Sequence, residues 1–162
     1  MSKLIIIEGL DKTGKSTLAR FLSEKTGMPI KKFSAPKEGE KPFNEYGAFL
    51  LDGEGGIVDR FHLSEMAYGP VFRGGSSIDE NRQALLECLA VCSGCVGVYC
   101  EAEKEVLAKR FEEDKEDFVK PEQIEAVQQG FEKALATSRI PWLRYKVGDD
   151  MEAIYEQVRR AV

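Results

Sequence analysis

The stretch GLDKTGKS, residues 9–16, follows KLIIIE and precedes TLARFLSEKTG. Two glycines bracket a short loop that ends in Lys15 and Ser16, and the loop joins an apolar run of strand length to a segment of helical periodicity. Gly9 and Gly14 let the backbone turn its N–H groups inward, and the positive end of the following helix reinforces them. The loop is shaped for a chain of phosphates. In that setting Lys15 neutralises charge on β- and γ-phosphates, and Ser16 presents a hydroxyl to Mg²⁺, so a nucleoside triphosphate is the expected ligand. Gly9, Lys12, Thr13, Gly14, Lys15, Ser16 and Thr17 are the nucleotide-binding residues this reading expects.

Outward from the loop, apolar runs of strand length alternate with helical patterns, which predicts an α/β domain with a parallel sheet. Strands are expected at 3–7, 30–34, 55–60, 95–102 and 142–147. Helices are expected at 15–25, 43–51, 62–68, 78–92, 103–112 and 122–138, with Pro121 at a helix start and a last helix from Asp149 to the end. No repeat or linker interrupts this order, so residues 1–162 read as a single domain.

A second motif, DRFHLSEMAYGPVFRGG at 59–75, begins at the carboxyl end of the third strand, where open parallel sheets hold ligands. Asp59 and Arg60 emerge there beside the phosphate loop. An aspartate can orient Mg²⁺-bound water, and an arginine grips phosphate oxygens with its planar fork. On a helix that starts near His62, Ser64 and Tyr68 share a face, with Glu65 beside them. A polar, aromatic face next to a phosphate clamp has the character of a nucleoside site. His62 is expected in a structural or rim role.

Taken together, IIIEGLDKTGKSTLA (5–19) and DRFHLSEMAYG (59–69) resemble the thymidylate kinase family, with a similarity to its compact bacteriophage-encoded members. The likeness continues more loosely through CVGVYCEAEKEVLAKR (95–110). It implies a P-loop sandwich around a five-stranded parallel sheet of order 2-3-1-4-5, with ATP-Mg²⁺ as donor and a deoxynucleoside 5′-monophosphate as acceptor. By motif position, Asp11 would contact the acceptor sugar and Arg60 its phosphate and the transferring group. Ser64 and Glu65 would meet the base, and Tyr68 would pack under the sugar and disfavour a 2′-hydroxyl. Lys15, Arg60, Lys12 and Asp59 would carry catalysis, and Ser16 and Asp59 would hold the metal. The charged run FEEDKEDFVKP (111–121) suits a lid, spanning about 110–121, in which Arg110 or Lys115 competes with Lys12 for the role of catalytic cation. The resemblance allows a homodimer.

Three departures from the family pattern bear on the base. After the second strand stands SAP (34–36) where the family often has Arg-Glu-Pro, the interval from Pro36 to Asp59 is shortened, and that interval contains no arginine. Arg73 or Arg82 is the substitute for the family's base-reading arginine, and Phe43, Tyr46 or Phe49 could stack on the base. A deoxypyrimidine acceptor (dTMP, dUMP or a 5-substituted analogue) is expected.

Composition narrows the alternatives. The 162 residues carry 28 acids against 23 bases, a formal net charge of −5. Such a balance makes no positive field for a nucleic acid polymer. The longest apolar run is too short to span a bilayer, so a cytoplasmic protein is expected, in the host cytoplasm if phage-encoded. Cys92-Ser-Gly-Cys95 has the spacing of half a zinc or redox site but lacks a second half, which favours small apolar residues at a helix end and in a strand. A deoxynucleoside kinase or a kinase of a hydroxymethylated base would need a carboxylate base from Glu8, Asp11 or Asp59. A nonenzymatic nucleotide switch would use the phosphate loop without the Arg60, Ser64 and Tyr68 constellation.

Overall fold

A computed structural model describes residues 4–114 and 119–161. β1 (Leu4–Gly9) reads LIIIEG and is buried along its whole length, as a strand covered on both faces must be. It pairs in parallel with β3 (Gly56–Asp59), Ile7 lying opposite Asp59, and with β4 (Cys95–Glu101), Gly9 lying opposite Cys100. The short β2 (Ile30–Lys32) extends the sheet beyond β3, and β5 (Trp142–Lys146) extends it beyond β4. The order is β2-β3-β1-β4-β5, all parallel. The connections run in opposite directions on the two sides of β1, so a crevice opens at the carboxyl ends of β1 and β3.

Seven helices cover the sheet among the described residues: α1 (Lys15–Thr26), α2 (Pro42–Asp52), α3 (His62–Phe72), α4 (Glu80–Cys92), α5 (Lys104–Glu113), α6 (Pro121–Thr137) and α7 (Met151–Ala161). On one face Ile5, Ile7, Ile57 and Val98 pack against Leu18 and Leu22 of α1 and Ile154 and Val158 of α7. On the other, Leu4, Ile6 and Val58 meet Tyr46 and Leu50 of α2 and Leu86 and Ala90 of α4. A third cluster joins α3, α5 and α6 through Leu63, Tyr68, Leu107, Phe111 and Phe131. There α3 and α6 come so close that a Cβ on Gly130 would lie 2.9 Å from Ala67 Cα.

The expected elements are present, with shifted ends. The second strand stops at Lys32 rather than residue 34 and is exposed throughout, because it forms the sheet edge. The third strand ends at Asp59, where Arg60 turns into the left-handed region at φ 69°. The third helix runs past residue 68 and through Pro70 to Phe72. Val71 and Phe72 pack into the third cluster, which holds the chain helical despite the missing proline N–H. The fourth helix starts at Glu80 because Asp79 caps it, accepting from the Arg82 N–H at 2.8 Å.

In the expected lid, Arg110 to Glu113 form the last turn of α5 and Pro121 opens α6. Lys115 lies outside the described residues. Of the cysteines, Cys95 and Cys100 are buried in β4, while Cys88 and Cys92 are exposed on α4. Burial pushes the Cys95 thiol up to about 12. Among the described residues, no helix is long and apolar enough to cross a membrane.

Candidate functional site

The loop between β1 and α1 keeps its shape through its own polar groups. Gly9 has φ 143°, and a Cβ there would lie 2.2 Å from the Cys100 carbonyl oxygen, so a side chain would force β1 and β4 apart. Gly14 follows at φ 78° and Lys12 at φ 64°. Inside the loop, Thr13 Oγ1 and Lys15 Nζ both donate to the Leu10 carbonyl, at 2.6 and 2.7 Å. Burial pulls the Lys15 ammonium below the usual lysine range, while the nearby Cys100, Asp59 and Glu8 act in the opposite sense. A desolvated cation at the start of a helix suits an anion.

Asp59, at the end of β3, faces the start of α1. Its Oδ2 accepts from Ser16 Oγ at 2.9 Å, with Lys32 Nζ at 3.8 Å. Its Oδ1 is buried without a hydrogen-bond partner. An orphaned carboxylate oxygen beside a hydroxyl is a donor set suited to a hard, oxygen-preferring cation such as Mg²⁺.

Arg60 is next in the chain. Its strained backbone is pinned on both sides, by its own N–H to the Ile7 carbonyl at 3.0 Å and by the Phe61 N–H to Glu8 Oε1 at 2.9 Å. The guanidinium forms an ion pair with Asp11 Oδ1 and stands 5.6 Å from the centre of the Tyr68 ring. Tyr68 OH donates to Asp11 Oδ2 at 3.1 Å and accepts from the Asp11 N–H at 3.0 Å. The loop after β1 and the start of α3 are thus tied into one cluster.

Two carboxylates behind this cluster have structural partners. Glu8 is fully buried and accepts from the N–H groups of Phe61 and Ser64 and from the Ser64 hydroxyl. It caps the start of α3 from β1, because Phe61 at the N-cap offers no side-chain acceptor. Burial raises its pKa, against the lowering effect of His62 and of those donors. Glu65 forms an ion pair with Arg73 and accepts from Ser77 N at 3.2 Å and Ser77 Oγ at 3.3 Å. His62 points away from the crevice, its Nε2 2.8 Å from Glu87 Oε1 in the interior.

A cleft of about 1020 Å³ connects these parts. Asp11, Lys12, Gly14, Lys15, Ser16 and Thr17 line it on the loop side, and Asp59, Arg60, Ser64, Glu65, Tyr68 and Arg73 line the other. Arg110 reaches it from α5, with Nη1 donating to the Lys12 carbonyl at 2.7 Å, while Lys12 Nζ meets Asp114 Oδ2 at 2.7 Å. Gly9 and Thr13 lie behind the lining and shape the loop.

Phe43 does not line the cleft; it packs at the edge of the α2–α4 core, where the Arg82 guanidinium stands 5.8 Å from its ring centre. Tyr46, one turn later on α2, lines the cleft instead, together with Phe33. Arg82 is committed to Asp79 and the Ser77 carbonyl, so of these two arginines only Arg73 lines the cleft. Sequence reasoning missed Lys32 and Ser77. The available signal for Lys32 was its place at the carboxyl end of a strand beside Asp59; Ser77, in a loop after α3, gave none.

No family model matches the chain. YorR, an SPbeta prophage-derived uncharacterized protein of Bacillus subtilis (strain 168), is 27% identical over 148 residues, which cover 90% of this chain and 89% of the relative. A crystal structure of YorR in complex with phosphorylated GDP matches with a TM-score of 0.82 at 23% identity, over 97% of this chain and 94% of that one. The thymidylate kinase of Candida albicans matches at 0.55 and 22% identity, covering 98% and 90%. The deoxyadenosine kinase of M. mycoides with bound dATP matches at 0.60 and 17%, covering 98% and 97%. The fold is that of the P-loop kinases. In this chain residues 10–14 make the connection from the first strand to the first helix.

Proposed function

We propose that the protein is an ATP-dependent kinase that transfers the γ-phosphoryl group to a deoxypyrimidine 5′-monophosphate, in the manner of a thymidylate kinase. The observation that carries this reading is the cleft in which the Gly9–Ser16 loop, with its Asp11, faces Arg60 and Tyr68. In this reading the loop amides and Lys15 hold the β- and γ-phosphates of ATP, and Ser16 and Asp59 hold Mg²⁺. The bound ion supplies positive charge to the phosphate oxygens. Arg60 exchanges its Asp11 partner for the acceptor phosphate, which sets the two substrates in line. Lys12 and Arg110 bring positive charge over the loop from the lid side.

Tyr68 supports a deoxyribose. Its hydroxyl is engaged twice by Asp11, so a 2′-hydroxyl pressed against the ring gains no new partner there. Burying an unpaired hydroxyl costs about 1–3 kcal/mol, equivalent to roughly ten- to a hundredfold in preference. A nucleoside acceptor is disfavoured by the state of the carboxylates. Glu8 is held in the interior by three donors, and in this reading Asp59 is given to Mg²⁺ and Asp11 to Tyr68 and the sugar, whereas a monophosphate oxygen is anionic and needs positioning rather than a base.

A coupled assay of ATP consumption tests the reading against dTMP, dUMP, 5-hydroxymethyl-dUMP, dCMP, dGMP, UMP, thymidine and a DNA oligonucleotide. The expected result is turnover with deoxynucleoside monophosphates, dTMP or dUMP leading, and dUMP well ahead of UMP. Turnover of thymidine alone would move the protein to the deoxynucleoside kinases. Binding of ATP without any acceptor-dependent consumption would leave a nucleotide switch.

A further inference from the structure

From the placement of Lys32 we infer that its ammonium is a second clamp on the acceptor phosphate, closing on that group from the sheet edge while Arg60 grips it from the start of α3. The inference rests on the acceptor reading above and adds to it a residue that neither sequence motif contains.

Strand register puts Lys32 at this point. It is the last residue of β2 and the cross-strand partner of Asp59. The next N–H, that of Phe33, donates to the Asp59 carbonyl at 3.3 Å, so the backbone beside Lys32 is fixed to β3. Lys32 and Arg60 therefore flank Asp59, one across the ladder and the other along the chain. Lys32 lines the cleft, and Ser34 and Ala35, which line it further along the same segment, bring no charge. Lys31 does not line the cleft; its Nζ stands 5.2 Å from the centre of the Phe33 ring.

The charges around Asp59 are arranged for an anion. Lys32 Nζ lies 3.8 Å from Asp59 Oδ2. Burial is the largest influence that lowers the neighbouring Lys15 ammonium, and the charge of Lys32 adds to it. Two ammonium groups that feel each other across one carboxylate repel, and an entering anion turns that repulsion into attraction.

Lys32 is also the cation most easily redirected. Its ion pair is longer than those of Lys12, Arg60 and Arg73, and its side chain is 61% exposed against 18%, 25% and 22% for theirs. A solvated pair of this kind contributes little stability, and the four-carbon stem lets the ammonium swing while the backbone stays in the ladder. A monophosphate near neutral pH brings about one and a half to two negative charges. Arg60 answers one of them with an oriented fork, and Lys32 answers the other as a point charge. In turning to the phosphate, Lys32 leaves Asp59 Oδ2 to Ser16 and to the cation that the reading assigns there.

Calorimetric binding tests this independently of turnover, with dTMP, dUMP, dCMP and dGMP as probes and ATP as the reference ligand. Whichever monophosphate wild type binds, Lys32→Ala should bind it about tenfold more weakly, the loss of one charge-assisted contact at a solvated position. Added salt should weaken that binding less steeply than in wild type. Lys32→Arg keeps the charge and should recover most of the loss, and ATP affinity should change by less than about twofold in both variants. Lys31→Ala, on the same exposed strand but off the cleft, should behave as wild type. Because both lysines are exposed, the variants should melt with wild type.

Unchanged monophosphate affinity in Lys32→Ala overturns the inference and leaves the kinase reading standing. An equal loss in Lys31→Ala also overturns it, since the effect would then belong to the charge of the whole edge. A loss of ATP affinity as large as the loss of monophosphate affinity does the same, by moving Lys32 to the donor. The expected loss in Lys32→Ala, with no acceptor-dependent ATP consumption by wild type, upholds the inference and sinks the kinase reading. If wild type binds none of the probes, both fall.

Discussion

Ser16 donates its hydroxyl to one oxygen of Asp59 at 2.9 Å, and the other oxygen of that carboxylate is buried with no partner. Leaving a buried acceptor unsatisfied costs about 1–3 kcal/mol, and a bound cation removes that penalty. Asp59→Asn should therefore raise the Mg²⁺ concentration needed for tight ATP binding by about tenfold or more, with little loss of thermal stability. A magnesium titration of ATP binding checks this, and an unchanged midpoint would move the metal away from Asp59.

Arg60 sits at φ 69°, a backbone conformation that costs a non-glycine residue about 1–2 kcal/mol. Arg60→Ala and Arg60→Gly should both abolish acceptor-dependent turnover, but the glycine variant should melt higher than the alanine variant, by roughly 2–4 °C per kcal/mol in a chain of this size. Paired melting curves and kcat/KM values decide the matter. Near-normal acceptor kinetics in either variant would relocate the phosphate clamp.

Lys12 combines a left-handed backbone with a side chain held by Asp114 and a carbonyl held by Arg110. Lys12→Gly preserves the loop's conformational freedom while removing the charge, so it should lower kcat by more than it raises either KM. If kcat is unaffected, Arg110 is the next residue to substitute.

Glu87 supplies a pH-dependent contribution to stability. Burial, the largest influence, pushes its carboxyl up, but the His62 hydrogen bond and charge, the Arg139 N–H and the Ser138 hydroxyl outweigh it and hold the pKa below the usual 4.5. Because the folded chain binds this proton more weakly than the unfolded chain, the contribution is present above pH 4.5 and is lost as pH falls below it. Glu87→Gln should melt lower than wild type at neutral pH, and the gap should close as pH falls below 4.5. Melting temperatures across an acid series test the sign. A gap that widens in acid would contradict it.

The sequence by itself determined the sheet and the loop. A strand buried on both faces must be continuously apolar, a surface helix must repeat every three or four residues, and a turn that brings backbone against backbone needs glycine, as at Gly9. Each of these is a local constraint, so the residues at 4–9 and 9–16 carried it openly, whereas the positive φ of Lys12 and Arg60 left no such mark. The tertiary structure decided which side chains were left over for a ligand. Phe43 and Tyr46 are both aromatics on α2 with the same local signal, yet Phe43 packs under Arg82 and Tyr46 lines the cleft. Arg73 and Arg82 were equivalent candidates until Asp79 and the Ser77 carbonyl took one of them and Glu65 brought the other into the cleft. Partners such as Ser77 with Glu65 or Glu8 with Phe61 are far apart in sequence. No periodicity records them, because packing chooses a pairing only after the helices have docked on the sheet.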